Sequence, residues 1–156
     1  MSYTMQPLPA NLRIKAYGAL SVSHALSDRV DAINLECFGP SDYFSNKGKL
    51  KHELSLDIRN KLFVAVLGKD IVGYLLCKII PQSEKVRGER LGVTLAYRGV
   101  GIGKALIHRG LRYADSLDAE YITYIANENT ASLRLHLNSG LICAGSDKAF
   151  IYLRNK

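Results

Sequence analysis

Cysteine is scarce in this chain: three residues in 156, Cys37, Cys77 and Cys143. The number is odd, the spacing is wide, and neither a Cys-x-x-Cys pair nor a nearby histidine at ligand spacing accompanies them. That excludes a disulfide framework and a structural zinc site, and it reads as reduced, buried thiols in a cytosol. No apolar run approaches the roughly 18 residues that a membrane span needs. The segment Met1 to Ala10 also lacks the basic flank and apolar core of a secretory leader. The expectation is a soluble, cytoplasmic protein with no metal. Repeats, linkers and low-complexity stretches are absent as well, so a single domain over 1–156 is expected, and 47% hydrophobic residues give it a sizeable core.

What the chain has in excess is positive charge, with 21 Lys and Arg against 14 Asp and Glu, a net +7. A nucleic-acid partner is therefore one reading. The basic residues are spread along the chain, however. They form only short clusters at Lys47, Lys49 and Lys51 and at Lys85, Arg87 and Arg90, with no recognition motif beside them. The same field suits a ligand carrying several phosphates.

A glycine turn points to such a ligand. Tyr97-Arg98-Gly99-Val100-Gly101-Ile102-Gly103-Lys104-Ala105-Leu106 follows an apolar run and opens an amphipathic pattern, which predicts strand, turn and helix start. Glycine lets the backbone turn tightly and lets a ligand approach it, and the first amides of a helix attract anions. Spacing separates the candidate loops. A Walker loop requires glycine where Arg98 stands and a hydroxyl where Ala105 stands, and a dinucleotide fingerprint requires glycine where Lys104 stands. ATP hydrolysis and NAD binding are both disfavoured.

Arg98-x-x-Gly101-x-Gly103 instead resembles the pyrophosphate-binding motif of the GNAT family of N-acetyltransferases. A second segment, Asn129 to Leu141, resembles that family's downstream signature, with His136 where Tyr is usual and Leu141 where Phe is usual. The run Leu91 to Arg98 is similar to the family's strand leading into the turn, with Leu95 in place of a frequent Pro.

Periodicity supplies the element order. Leu12, Ile14 and Ala16 alternate and predict a strand over 11–17. Val22, Leu26, Val30, Ile33 and Cys37 predict a helix ending near Gly39-Pro40, and Leu50, Leu54 and Ile58 predict a weaker second helix. A hairpin follows, over 62–67 and 71–80 about Gly68-Lys69-Asp70, then a polar loop over 81–88 and a strand over 89–95. The helix from Gly101 to Leu117 places Ile102, Ala105, Leu106, Tyr113 and Leu117 on one face, with Gly110 permitting close packing. A strand over 121–126, a short helix capped by Asn129 or Thr130 and ending at Gly140, and a hairpin over 141–144 and 149–153 complete the chain. The fold class is α/β. The resemblance implies one mixed sheet flanked by helices in the order β-α-α-β-β-β-α-β-α-β-β, with its central strands splayed to admit acetyl-CoA.

By the same resemblance an amine attacks the acetyl thioester of coenzyme A directly, without a covalent enzyme intermediate. Such chemistry needs an oxyanion donor, an acceptor for the amine's proton and a donor to the thiolate. The resemblance implies the Val93 amide for the oxyanion. It implies Val93, Leu95 and the turn Arg98, Gly99, Val100, Gly101, Ile102, Gly103 and Lys104 for the pantetheine and pyrophosphate, and Asn129 for the pantetheine arm or the acceptor. His136 falls at the position of the acid beside the sulfur, where imidazole can donate to the thiolate or pass a proton through water; a packing histidine is the plain alternative. Glu89, with Glu84 behind it, is the carboxylate candidate for the base. Tyr124 matches a strand position that holds a catalytic Glu in relatives acting on protein N-termini, and a core tyrosine is its plain alternative. His24, His52 and His108 read as surface or packing residues. The segment Ser132-Leu133-Arg134-Leu135-His136 is similar to acetyltransferases of the phosphinothricin type and implies a small amino-acid-like acceptor; other amines and protein N-termini stay open. A homodimer accords with the resemblance, a membrane partner does not, and a catalytically silent coenzyme A-binding module is the alternative function.

Overall fold

The computed structural model describes residues 8–40 and 48–155, so Lys47 of the first basic cluster lies outside the described residues. Seven strands form one sheet in the order β1-β2-β3-β4-β5-β7-β6. They are β1 (Leu12–Tyr17), β2 (Lys61–Leu67), β3 (Asp70–Ile80), β4 (Lys85–Val93), β5 (Glu120–Ala126), β6 (Ile142–Ser146) and β7 (Phe150–Arg154). The helices are α1 (His24–Phe38), α2 (Lys49–Ser55), α3 (Ile102–Ser116) and α4 (Thr130–Asn138). Every neighbouring pair is antiparallel except β4 with β5, which run parallel. The expected order of elements and the expected α/β class hold.

Near-continuous apolar runs build β2 and β3 because both faces of these central strands are covered. Phe63 and Ala65 of β2 join the core beneath α3, whereas Leu62, Val64 and Val66 join the core beneath α1 and α2. α1 starts at Ser23, whose hydroxyl accepts from the Leu26 amide at 3.1 Å, and it buries Leu26, Val30 and Ile33 as their spacing predicts. α3 packs through Ile102, Leu106, Ile107, Gly110 and Ala114. Gly110 is needed there, because a Cβ would come within 2.9 Å of Leu75 Cδ2 and 3.0 Å of Tyr121 Cε2.

Several sequence expectations shift. The stripe on α3 runs along 102, 106, 110 and 114. Ala105 and Tyr113 are only half-buried, and Leu117 lies past the last turn with 38% of its surface exposed. The loop expected over 81–88 shrinks to a turn, and β4 begins at Lys85. Charged residues hid this half of the strand, although Val86 is buried in the α3-side core and Lys85 to Gly88 pair on both edges. β4 also stops at Val93, and Leu95 opens a short 3-10 turn. The thiols are not uniformly buried: Cys77 is, Cys37 is half-buried and Cys143 is exposed. Among the described residues no helix is long and apolar enough to cross a membrane, and no cluster of His, Cys, Asp and Glu has the makings of a metal site.

Candidate active site

The sheet opens at its centre. β4 pairs with β5 only from Lys85–Glu120 to Gly88–Thr123, yet β4 continues along β3 as far as Val93 opposite Gly73. Beyond Gly88 the facing edges of β4 and β5 therefore part, as expected of splayed strands. Thr123 closes the crotch of this opening, its hydroxyl donating to the Gly88 carbonyl at 2.9 Å. Glu89 stands directly above. It is the extra residue of a bulge, because Cys77 faces Gly88 while Leu76 faces Arg90.

The Val93 amide points into the opening. The next amide, Thr94 N–H, donates to Val72 O of β3 at 2.9 Å, and successive amides of an extended strand point to opposite edges. The Val93 carbonyl shares the amide's direction and is held by two groups, Arg98 Nε at 2.9 Å and the Cys37 thiol at 3.4 Å. Arg98 Nη2 also reaches Cys37 Sγ at 3.2 Å, and Glu36 Oε1 accepts from the Leu95 amide at 2.9 Å. The end of α1 thus braces the end of β4. The Arg98 side chain is turned to this brace, and the Leu95 amide is already engaged. Sequence reasoning missed Glu36 and Cys37, because nothing in the chain links them locally to residues about sixty positions away.

The turn that follows has the geometry of an anion cradle. Gly99 and Gly101 have φ of 80° and 90°, a left-handed conformation in which side chains are strained. Gly101 caps α3, and the first intrahelical bond runs from Ala105 N–H to Gly101 O at 3.0 Å. The amides of Ile102, Gly103 and Lys104 consequently project from the helix end, with the positive end of the helix dipole behind them. A groove of about 930 Å³ begins at Gly99, Val100 and Gly101 and includes Lys104.

α4 carries His136, which is 4% exposed. Its Nδ1 lies 2.7 Å from the Ser132 carbonyl. A carbonyl accepts only, so Nδ1 is assigned the proton and Nε2 keeps its lone pair in the neutral ring. Burial pushes the imidazole pKa below its ordinary value, and the Ser132 carbonyl opposes this only in part. Asn129 caps α4 by accepting from Ser132 N–H at 3.2 Å, which accounts for its side-chain oxygen without a ligand.

The outer wall of the opening is aromatic and charged. Arg87 Nε lies 2.9 Å from Glu89 Oε2, and the Arg87 guanidinium sits 4.8 Å above the Tyr124 ring. Tyr124 is not the core residue allowed for above. It is 44% exposed and stacks on Tyr152 at 5.2 Å, because β5 has lost its neighbour on that edge. Arg90 lies 4.3 Å over the Phe38 ring. Arg87 and Arg90 of the second basic cluster are thus each drawn over an aromatic ring. Glu84 is left at the far end of β4, in the turn, with φ of 50°.

The Acetyltransferase (GNAT) family profile matches residues 27–141, so the chain belongs to the GNAT acetyltransferase family. Among solved structures, the chain is similar to the PaiA N-acetyltransferase of Thermoplasma acidophilum in complex with coenzyme A. The TM-score is 0.75 at 16% identity, over 93% of this chain and 98% of that one. It is also similar to Arabidopsis thaliana Naa50 in complex with the bisubstrate analogue CoA-Ac-MVNAL, with a TM-score of 0.72 at 17% identity over 92% and 98%. Nourseothricin acetyltransferase matches at a TM-score of 0.58 and 19% identity over 62% of this chain, which spans 65% of that protein's length. At these identities the likeness is one of fold. No curated protein sequence matches the chain.

Proposed function

We propose that this chain is an acetyl-CoA-dependent N-acetyltransferase that works in the cytoplasm and passes an acetyl group directly to an amine. One observation carries the reading: β4 and β5 part beyond Gly88, and the parting leads from Val93 to a glycine turn at the head of a helix. The residues fit the cosubstrate. The amides of Ile102, Gly103 and Lys104, with the Lys104 ammonium, hold the pyrophosphate, and the gap between β4 and β5 takes the pantetheine arm. Acetyl-CoA supplies an activated carbonyl and a thiolate leaving group.

The chain's own residues do the rest. Val93 N–H donates to the oxygen that gains charge as the carbon–nitrogen bond forms, in an opening whose strand edges have no water to compete once the arm is bound. Arg98 and Cys37 fix the direction of that donor by holding the carbonyl of the same residue. His136 Nε2, neutral at physiological pH, takes a proton from the attacking nitrogen through water and returns it to the thiolate as the carbon–sulfur bond breaks. Glu89, held by Arg87, and Tyr124 shape the entrance through which the amine arrives. The acceptor is a small amino-acid-like molecule, another amine or a protein N-terminus. A panel of such acceptors incubated with acetyl-CoA, with detection of released thiol, tests the reading. Turnover of at least one amine above the background of hydrolysis is expected. Tight binding of acetyl-CoA without transfer to any amine would indicate a silent binding module instead.

A further inference from the structure

We infer that Tyr124 and Tyr152 select an amine that carries an aromatic ring; the inference rests on the acetyl-transfer reading above and names the class of its acceptor. Side chains alternate along a strand, so the cores assign the faces. Val86, Tyr121, Ile125 and Leu153 all belong to the core beneath α3. Arg87, Tyr124 and Tyr152 therefore stand on the opposite face, and the register sets Tyr124 beside Tyr152 across β5 and β7. Phe150, two residues from Tyr152, shares that face. α1 packs on β3 and β4. The rings further along the sheet stay open, with Tyr124 44% and Phe150 47% exposed.

The chemistry of this patch selects its occupant. The glycine turn heads α3 on one face of the sheet, and the parting of β4 and β5 opens through to the face that carries the rings. A nucleophile that approaches from that side passes Tyr124, whose strand has lost its neighbour there. The Tyr124 ring lies 5.2 Å from that of Tyr152 at an interplanar angle of 41°, so a third ring extends the cluster by an offset or edge contact. A cationic group is disfavoured on the same ring, since the Arg87 guanidinium already lies 4.8 Å over Tyr124 and repels it. The Glu89 carboxylate, 2.9 Å from Arg87 Nε, supplies an acceptor for the N–H of the incoming amine. A ligand that fits has an uncharged aromatic ring at one end and the amino group at the other.

Acetylation rates of the whole chain at saturating acetyl-CoA, read as released thiol, test the inference on matched sets of acceptors. One set is 2-phenylethylamine, 2-cyclohexylethylamine and ethylamine; a second is L-phenylalanine, L-cyclohexylalanine and L-alanine; a third is peptides that begin with each of those residues and are otherwise identical. In each set that is turned over, kcat/KM of the aromatic member is expected to exceed that of the ring-free member about tenfold or more. It should exceed that of the saturated ring about 2–10-fold, which is what an aromatic contact adds beyond its area. Tyr124→Ala shortens an exposed side chain, and its melting temperature reports whether it folds. Its ratio of aromatic to ring-free turnover should fall to within about twofold of unity, whereas Tyr124→Phe should keep the preference. A ratio taken within one variant is not moved by a general loss of activity. Equal rates across a set, a saturated ring that matches the aromatic one, or a ratio that survives in Tyr124→Ala would overturn the inference while leaving acetyl transfer intact. So would turnover of ring-free amines with every aromatic member idle. If no amine of any kind were acetylated, the transfer reading would fall and this inference with it.

Discussion

Replacing His136 with phenylalanine separates proton transfer from cofactor binding. The ring is 4% exposed and its Nδ1 is tied to Ser132 O at 2.7 Å, so the substitution removes one hydrogen bond and both nitrogens from a closed slot. The lost bond costs about 1 kcal/mol, and the extra bulk adds about 1–3 kcal/mol of strain. Urea unfolding measures both together, and His136→Gln, which avoids the bulk, serves as the control. Cofactor affinity should stay within a few-fold, because the turn from Arg98 to Lys104 is untouched. Turnover should fall by about 10²–10⁴, the usual worth of a general acid or base, which is about 2.7–5.5 kcal/mol of activation free energy. His136→Tyr should recover part of the loss if delivery of a proton to the thiolate is the demanding step. The pH dependence has a definite sign. Burial holds the folded-state pKa below the ordinary 6.5, so Nε2 is a free base at neutral pH and wild-type turnover should be level there. It should drop as pH falls through the depressed value. Stability follows the same direction: the contribution of His136 is fully present above the unfolded-state pKa near 6.5 and is lost as pH falls through the folded one. The Phe variant should lack both declines. If it turned over at the wild-type rate with an unchanged pH profile, His136 would be a packing residue, and the proton would reach the sulfur by another path.

Arg98→Gln should lower turnover about 5–30-fold, from about 1–2 kcal/mol of lost charge-assisted bonding at Val93 O, with cofactor affinity within threefold. A loss confined to affinity would make Arg98 a phosphate ligand instead of a brace. Gly101→Val forces a β-branched residue to φ of 90° and should abolish the acetyl-CoA-induced rise in melting temperature; a normal rise refutes the cradle. With a thiol-specific reagent Cys143, which is exposed, should react first. Cys77, whose pKa burial pushes far up, should react only on unfolding, and labelling of Cys77 in the native chain would contradict the packing beneath α3.

How much of the site the sequence disclosed depends on how local each cause is. The glycine turn was legible because left-handed φ at Gly99 and Gly101 and free amides at a helix start are properties of a few adjacent residues. The apolar runs of β2 and β3 and the cap at Ser23 are local in the same sense. The first half of β4 was not legible, since Lys85, Arg87 and Glu89 mask a strand that pairs with β3 across a tight turn on one edge and with the distant β5 on the other. The brace at Val93 joins residues separated by 56 and 61 positions and leaves no periodic trace. Nor does spacing give the protonation state of His136, which follows from how deeply α4 is packed. Tyr124 looked like core because its neighbours Ile122 and Ile125 are core; its exposure follows from the parting of β4 and β5, a property of the sheet and not of the strand.

Calorimetric titration with acetyl-CoA, followed by melting of the saturated protein, tests most directly that the opening between β4 and β5 and the turn at α3 form a cosubstrate site. One molecule should bind per chain, and at one hundred times the dissociation constant it should stabilise the fold by about 2.7 kcal/mol. Absence of binding heat together with an unchanged melting temperature, in a chain shown by circular dichroism to be folded, would contradict the account.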